Sequence, residues 1–180
     1  MKKLLISLIA LAALSGIGCM SVPSDLHVFV STNGCNSQAE CPWQDGTTHN
    51  YYDANLHEIV VAPEQSLKTW AHEACHAHQQ MTVIAETGQD VSPVLQPGSN
   101  THLPDLHEWL TTREAQDYAV AVATDGPPQW GTHGIALLED FAEACGRYLV
   151  PHTYMPGLEM EVSFEISPAR SAFFAARDFK

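Results

Sequence analysis

Basic residues are scarce in this chain: Lys and Arg number 8 against 21 Asp and Glu, for a formal charge of −13. That balance excludes a nucleic-acid partner and attachment to anionic lipid by charge. Long apolar segments are also scarce. After the N-terminal run there is no second one, so the body of the chain has the composition of a soluble globular domain. There is no internal repeat and no low-complexity tract, which leaves repeat architectures out. An even cysteine count is lacking too: there are 5, an awkward number for an oxidising compartment.

What is present begins with an export signal. Lys2 and Lys3 precede an apolar run from Leu4 to Leu14, too short to span a bilayer but suited to the apolar region of a signal peptide. Small residues follow, Ser15, Gly16 and Gly18, and then Cys19. Residues 1–18 are therefore read as a signal peptide. Without Lys2 and Lys3, six basic residues face 21 acidic ones and the charge becomes −15. Cys19 directly after Gly18 resembles a bacterial lipoprotein processing site, which implies a lipidated mature N-terminus at Cys19 and a tether over 19–25. Plain cleavage near Gly18 is the alternative. Met20 after Cys19, as in lipoproteins generally, implies sorting to the periplasmic face of an outer membrane; without lipid the protein is secreted. Residues 26–180 remain as one domain, large enough for a substantial core.

If Cys19 carries lipid, four cysteines are left to pair. Cys35 and Cys41 lie in a short loop rich in Asn, Gly and Gln, which leaves Cys75 with Cys145. The alternative is that these are free thiols, with Cys75 and Cys145 acting as small apolar fillers between helices.

Leu26 to Ser31 and His57 to Ala62 read as strands, the second ended by Pro63, and Tyr51-Tyr52-Asp53 as the start of a hairpin. Residues 64–87 read as a long helix. Leu67, Trp70, Ala71, Ala74, His78 and Met81 recur at helical spacing as a core face, with His72 and His76 roughly opposite. Residues 88–103 read as a loop. A second helix is expected over 105–124, with Asp105 and Glu108 as a capping box, and a third over 135–150. Met160 to Ile166 reads as a strand, and 169–179 as a terminal helix with Phe173 and Phe174 inward. The order predicts an α+β fold, a small sheet packed on helices.

His72-Glu73-Ala74-Cys75-His76 is an H-E-x-x-H motif on the long helix. Histidines at i and i+4 share a face and can reach one ion, and the intervening glutamate sits beside it as a proton acceptor. Zinc suits imidazole and lowers the pKa of its water towards 7, so Glu73 is the expected general base. A catalytic zinc needs a third protein ligand, and the best candidates lie in Glu139-Asp140-Phe141-Ala142-Glu143 on the third helix. His78 falls on the apolar side of the helix and reads as a packed core histidine. His107 reads as surface, and Tyr51, Tyr52 and Trp70 as core or cleft wall.

An H-E-x-x-H helix followed by a helix bearing E-x-F-A-E resembles the zincin metallopeptidases with a glutamate third ligand, the gluzincins, and in pattern the branch that includes the anthrax lethal factor catalytic domain. The resemblance implies a zincin-like fold with the H-E-x-x-H helix central. It makes Glu139 the third zinc ligand and Glu143 a support for a zinc-bound histidine; Asp140 is the other candidate ligand. Shortly before the glutamate helix, where that branch has a tyrosine, this chain has Trp130-Gly131-Thr132-His133. His133 is therefore the expected donor to the developing oxyanion. The resemblance also implies that the strand at 57–62 is an edge strand that pairs with extended substrate.

The expected function is thus an exported zinc metallopeptidase that hydrolyses peptide bonds in peptide or protein substrates as a monomer, touching a membrane only through lipid at Cys19. Two alternatives stay open: a zinc-binding lipoprotein without catalysis, which would not need Glu73, and an interaction module on an inactive zincin fold.

Overall fold

Helix α1, Leu67–Thr87, organises the molecule. No glycine or proline interrupts it. Ser66 caps its start, accepting from the Thr69 N–H at 3.2 Å. Gly88 ends it in the left-handed region at φ 68°, with its N–H on the Ile84 carbonyl. The computed structural model describes residues 24–30, 50–54, 57–61, 65–88, 106–127, 136–155, 159–177 and 179.

A three-stranded sheet covers one side of α1. Its strands are β1, His27–Val30, β2, Tyr51–Asp53, and β3, Glu58–Val61, in the order β1-β3-β2. β1 runs parallel to β3, with His27 opposite Glu58, and β2 runs antiparallel, with Tyr52 opposite Ile59. Tyr52, Ile59 and Val61 pack on Ala74 and Ala77 of α1. The small alanines let the sheet lie close, and each fully buried Ile or Val contributes roughly 1.5–3 kcal/mol. Gln80 ties the layers together, accepting from the Tyr52 hydroxyl at 2.5 Å and donating to the Ala54 carbonyl at 3.1 Å.

The expected edge strand is in fact the centre of the sheet. Both sides of β3 are taken by β1 and β2, so an extended substrate has no free main-chain groups to meet there.

On the other side of α1 lies the helical layer. A 3-10 helix, Leu106–Thr111, leads into α2, Arg113–Asp125, and then come α3, Ala136–Leu149, and α4, Pro168–Ala175. The helix expected over 105–124 is therefore two pieces. Thr112 breaks it: its backbone is extended, and its hydroxyl accepts from the Ala115 N–H and donates to the Trp109 carbonyl. Asp105 of the expected capping box lies outside the described residues. Between α3 and α4 is a hairpin, β4, His152–Met155, with β5, Met160–Ser163. Only β5 was expected.

Phe141 is the hub of this layer, with the rings of Trp109, Tyr118 and Phe174 at 4.8, 5.1 and 5.3 Å. Phe173 and Phe174 turn inward as expected. Asp125 holds the start of α4 by accepting from the Ala169 and Arg170 N–H groups. The mixture of one small sheet, a hairpin and helices is α+β, as expected. No helix among the described residues is long and apolar enough to cross a membrane.

The middle of α1 lies between the two layers, and residues 73–80 are all buried. The expected one-sided core face is thus replaced by burial all round, and Leu67, assigned to that face, is exposed. α1 and α3 run antiparallel and make the most extensive contact between elements. Gly146 allows it. A Cβ there would lie 3.1 Å from the His72 nitrogen and 3.2 Å from its Cα. Next to that point Cys75 and Cys145 form a disulfide, with their α-carbons 6.3 Å apart. Cys19, Cys35 and Cys41 lie outside the described residues.

Candidate metal centre

The i, i+4 spacing on α1 sets the His72 and His76 rings edge to face, with their Nε2 atoms 3.2 Å apart. Glu139, in the first turn of α3, reaches both. Its Oε2 is 3.6 Å from His72 Nε2, and its Oε1 is 3.6 Å from His76 Nε2. Tetrahedral zinc with bonds of about 2.0–2.2 Å holds neighbouring ligand atoms about 3.4 Å apart. The donor set of two imidazoles and a carboxylate fits zinc by chemistry as well as by spacing. Glu73 completes the group, since ligand-capable atoms of His72, Glu73 and His76 all lie within 4.8 Å of one another. His76, Glu73 and Glu139 are buried.

Behind these atoms is a second set of contacts. His72 Nδ1 lies 3.2 Å from Glu143 Oε2. This is within ion-pair reach, although the ring N–H does not point straight at the oxygen. Glu143 is itself held by Lys68 and by Arg147 Nε, the latter at 2.8 Å. His76 Nδ1 lies 2.8 Å from Gln79 Oε1, and Gln79 Nε2 donates to the Leu138 carbonyl at 3.1 Å.

The three carboxylates differ in proton affinity. Burial works to raise Glu139, but the His72 and His76 rings overcome it and hold Glu139 well below the usual carboxylate range. Burial likewise opposes charge on Glu143, and His72, Lys68 and Arg147 hold it low. Glu73 goes the other way: burial raises it, and the two histidines only partly offset that. For His72, burial disfavours the charged ring, but Glu139 and Glu143 together push it up to about 9. Two carboxylates are thus kept anionic, Glu139 between the two histidines and Glu143 behind His72, and one keeps an enhanced hold on a proton.

The structure therefore brings together His72, Glu73, His76, Glu139 and Glu143 of the expected residues. Asp140, the other candidate ligand, does not join them. Its Oδ2 accepts from the Tyr118 hydroxyl and from Arg170 Nε, both at 2.9 Å. One step along a helix turns a side chain by about 100°, which takes Asp140 into the aromatic core. His133 lies outside the described residues. His78 is buried as expected. It pairs with Glu114 at 2.9 Å, and Glu114 also accepts from Trp109 and Thr82.

The sequence reasoning missed Gln79, Lys68, Arg147 and Gly146. Lys68 was detectable, being one turn before His72 on the same face, and Arg147 likewise stands one turn after Glu143. No known protein family matches the chain, and no curated protein and no solved structure matches it.

Proposed function

We propose that this protein is a zinc-dependent metallopeptidase of zincin-like, gluzincin type that cleaves peptide bonds in peptide or protein substrates as a monomer. The observation that carries the reading is the triangle of His72, His76 and Glu139 ligand atoms at 3.2–3.6 Å, with the Glu73 carboxylate beside it. His72, His76 and Glu139 are the residues that would hold the metal. A bound zinc supplies Lewis acidity, lowering the pKa of a water and polarising a carbonyl. Glu73, raised by burial, accepts the proton of the attacking water and delivers it to the leaving amine. Glu143 keeps His72 oriented. His133 is assigned as the donor to the developing oxyanion.

The same reading places the protein outside the cytoplasm, with residues 1–18 removed and Cys19 acylated at the periplasmic face of an outer membrane. The Cys75–Cys145 disulfide supports export, because such bonds persist in oxidising compartments. Intact mass of the membrane fraction tests the anchor, and a soluble protein whose mature form starts elsewhere refutes it.

The test of the enzyme reading is cleavage of a mixed peptide library by zinc-loaded protein and by Glu73→Gln. The variant should keep one zinc and lose about 10²–10⁴-fold in rate. His133→Ala should also keep zinc and lose rate. Stoichiometric zinc with no cleavage by the unaltered protein would favour the non-catalytic zinc-binding lipoprotein instead.

A further inference from the structure

We infer that Gln79 is a positioning residue that fixes the metal-binding face of His76 from an anchor on the glutamate helix. The inference deepens the metallopeptidase reading and, for its metal-binding consequence, rests on it.

A main-chain carbonyl can only accept. The Leu138 carbonyl lies 3.1 Å from the Gln79 amide, so the amide must turn its NH2 towards it. That turns Oε1 of Gln79 towards His76. An amide oxygen also can only accept, so His76 Nδ1, at 2.8 Å, must carry the hydrogen. In a neutral imidazole the lone pair is then on Nε2. Nε2 is the atom that faces His72 Nε2 at 3.2 Å and Glu139 Oε1 at 3.6 Å. Each link allows one direction only, from the backbone of the residue before Glu139 to the ligand atom of His76.

Gln79 is fully buried, and a buried amide that satisfied neither neighbour would be strongly disfavoured. The two histidines are thus supported differently. His72 is backed by the Glu143 carboxylate, and His76 by a neutral amide. Because Leu138 precedes Glu139, the same amide sets the spacing between the helix that bears His76 and the helix that bears Glu139.

The test compares the full chain with Gln79→Leu and Gln79→Glu. Three quantities are measured: the ring 15N shifts of His76 in metal-free protein above pH 9, where the His72 ring is neutral and its Nε2 no longer has to donate to His76, zinc affinity by chelator competition, and the thermal midpoint. In the unaltered protein Nδ1 should show the protonated type of shift and Nε2 the unprotonated type. Gln79→Leu should mix the tautomers and weaken zinc binding roughly 10–100-fold. Gln79→Glu still accepts from Nδ1–H, so it should keep the tautomer and hold zinc more tightly than Gln79→Leu. It should nevertheless be the less stable of the two variants, because it sets a buried carboxylate against the Leu138 carbonyl.

Affinity and stability therefore rank the variants in opposite orders, which a role in packing alone would not produce. Affinity that follows stability overturns the inference, as does an unchanged tautomer in Gln79→Leu. If Gln79→Glu does not fold, the His76 tautomer in Gln79→Leu decides alone. Failure of the unaltered protein to bind zinc would instead overturn the metallopeptidase reading, and the metal-free spectra would still decide Gln79.

Discussion

Raising the pH should tighten zinc binding far above the range where an ordinary histidine stops titrating. In the metal-free protein the Glu139 and Glu143 carboxylates push His72 up to about 9, so at neutral pH its ring is an imidazolium. To coordinate, Nε2 has to lose its proton. Each pH unit below the pKa costs about 1.4 kcal/mol, so at pH 7 the penalty is on the order of 3 kcal/mol, or roughly 100-fold in affinity relative to the fully deprotonated ring. A histidine at the model-peptide value of 6.5 would give almost no dependence above pH 7.5, so the window from 7.5 to 9 decides. Glu73, raised by burial, can release a second proton. The measurement is therefore best made in Glu73→Gln, by chelator competition across pH and by calorimetry in buffers of different ionisation enthalpy. About one proton per zinc at pH 7.5 is expected. An affinity that is flat from pH 7.5 to 9, with no proton released, would refute the reasoning.

The same shift acts on folding with the opposite sign. A histidine whose folded pKa is raised contributes stability that is complete below the unfolded value of 6.5 and lost as pH rises through about 9. Metal-free protein should therefore weaken between pH 6.5 and 9, by about 3 kcal/mol as an order of magnitude. Zinc-saturated protein should not weaken in that window, because the metal replaces the proton.

Other perturbations separate the roles of neighbouring residues. Glu139→Ala should abolish tight zinc binding, while Glu143→Ala should lose about 10–100-fold; metal per chain after dialysis checks both, and full occupancy in Glu139→Ala would remove Glu139 as a ligand. Asp140→Asn should leave zinc bound but destabilise the fold by about 3–5 kcal/mol, since the buried Arg170 loses a charged partner; denaturant titration reads it. Gly146→Ala should destabilise by about 1–3 kcal/mol, because its Cβ would press on the His72 backbone; a thermal midpoint equal to that of the unaltered protein would refute the close approach. Replacing Cys75 and Cys145 together by Ala removes a bridge across a sequence separation of 70, expected to lower stability by about 4 kcal/mol on chain entropy.

How much of this was legible in the sequence depended on whether the signal was local. Helix α1, the strands at 27–30 and 58–61 and the inward turn of Phe173 and Phe174 follow from periodicity and turn residues within one segment. Thr112 was harder. Its hydroxyl competes with the helix for backbone partners, and the surrounding apolar pattern reads straight through the break. The place of β3 at the centre of its sheet was not legible, because strand order depends on how distant segments assemble. The hairpin strand at 152–155 carried a weak signal: His152 and Tyr154 point to solvent while Thr153 is buried, so its inward face shows no apolar alternation.

The candidate metal centre divides in the same way. Lys68, His72 and His76 lie one turn apart on α1, and Glu139, Glu143 and Arg147 lie one turn apart on α3. Each row can be read from spacing alone. Nothing in either row says how they register. Sliding α3 by one turn would place Glu143 where Glu139 is, between the two histidines, and would set Arg147 against His72, with cation facing cation in the metal-free site. Two contacts outside the rows exclude that slip. Gly146 admits the His72 backbone at one point, and Cys75 is bonded to Cys145 beside it. A third, the Gln79 amide on the Leu138 carbonyl, fixes the other end of the contact. The residues of the site were therefore legible as two sets of donors. The sequence put Glu139 rather than Glu143 between the histidines only through the gluzincin resemblance; in the structure that placement rests on register, which is set by a glycine, a disulfide and an amide that carry no metal-binding signal of their own.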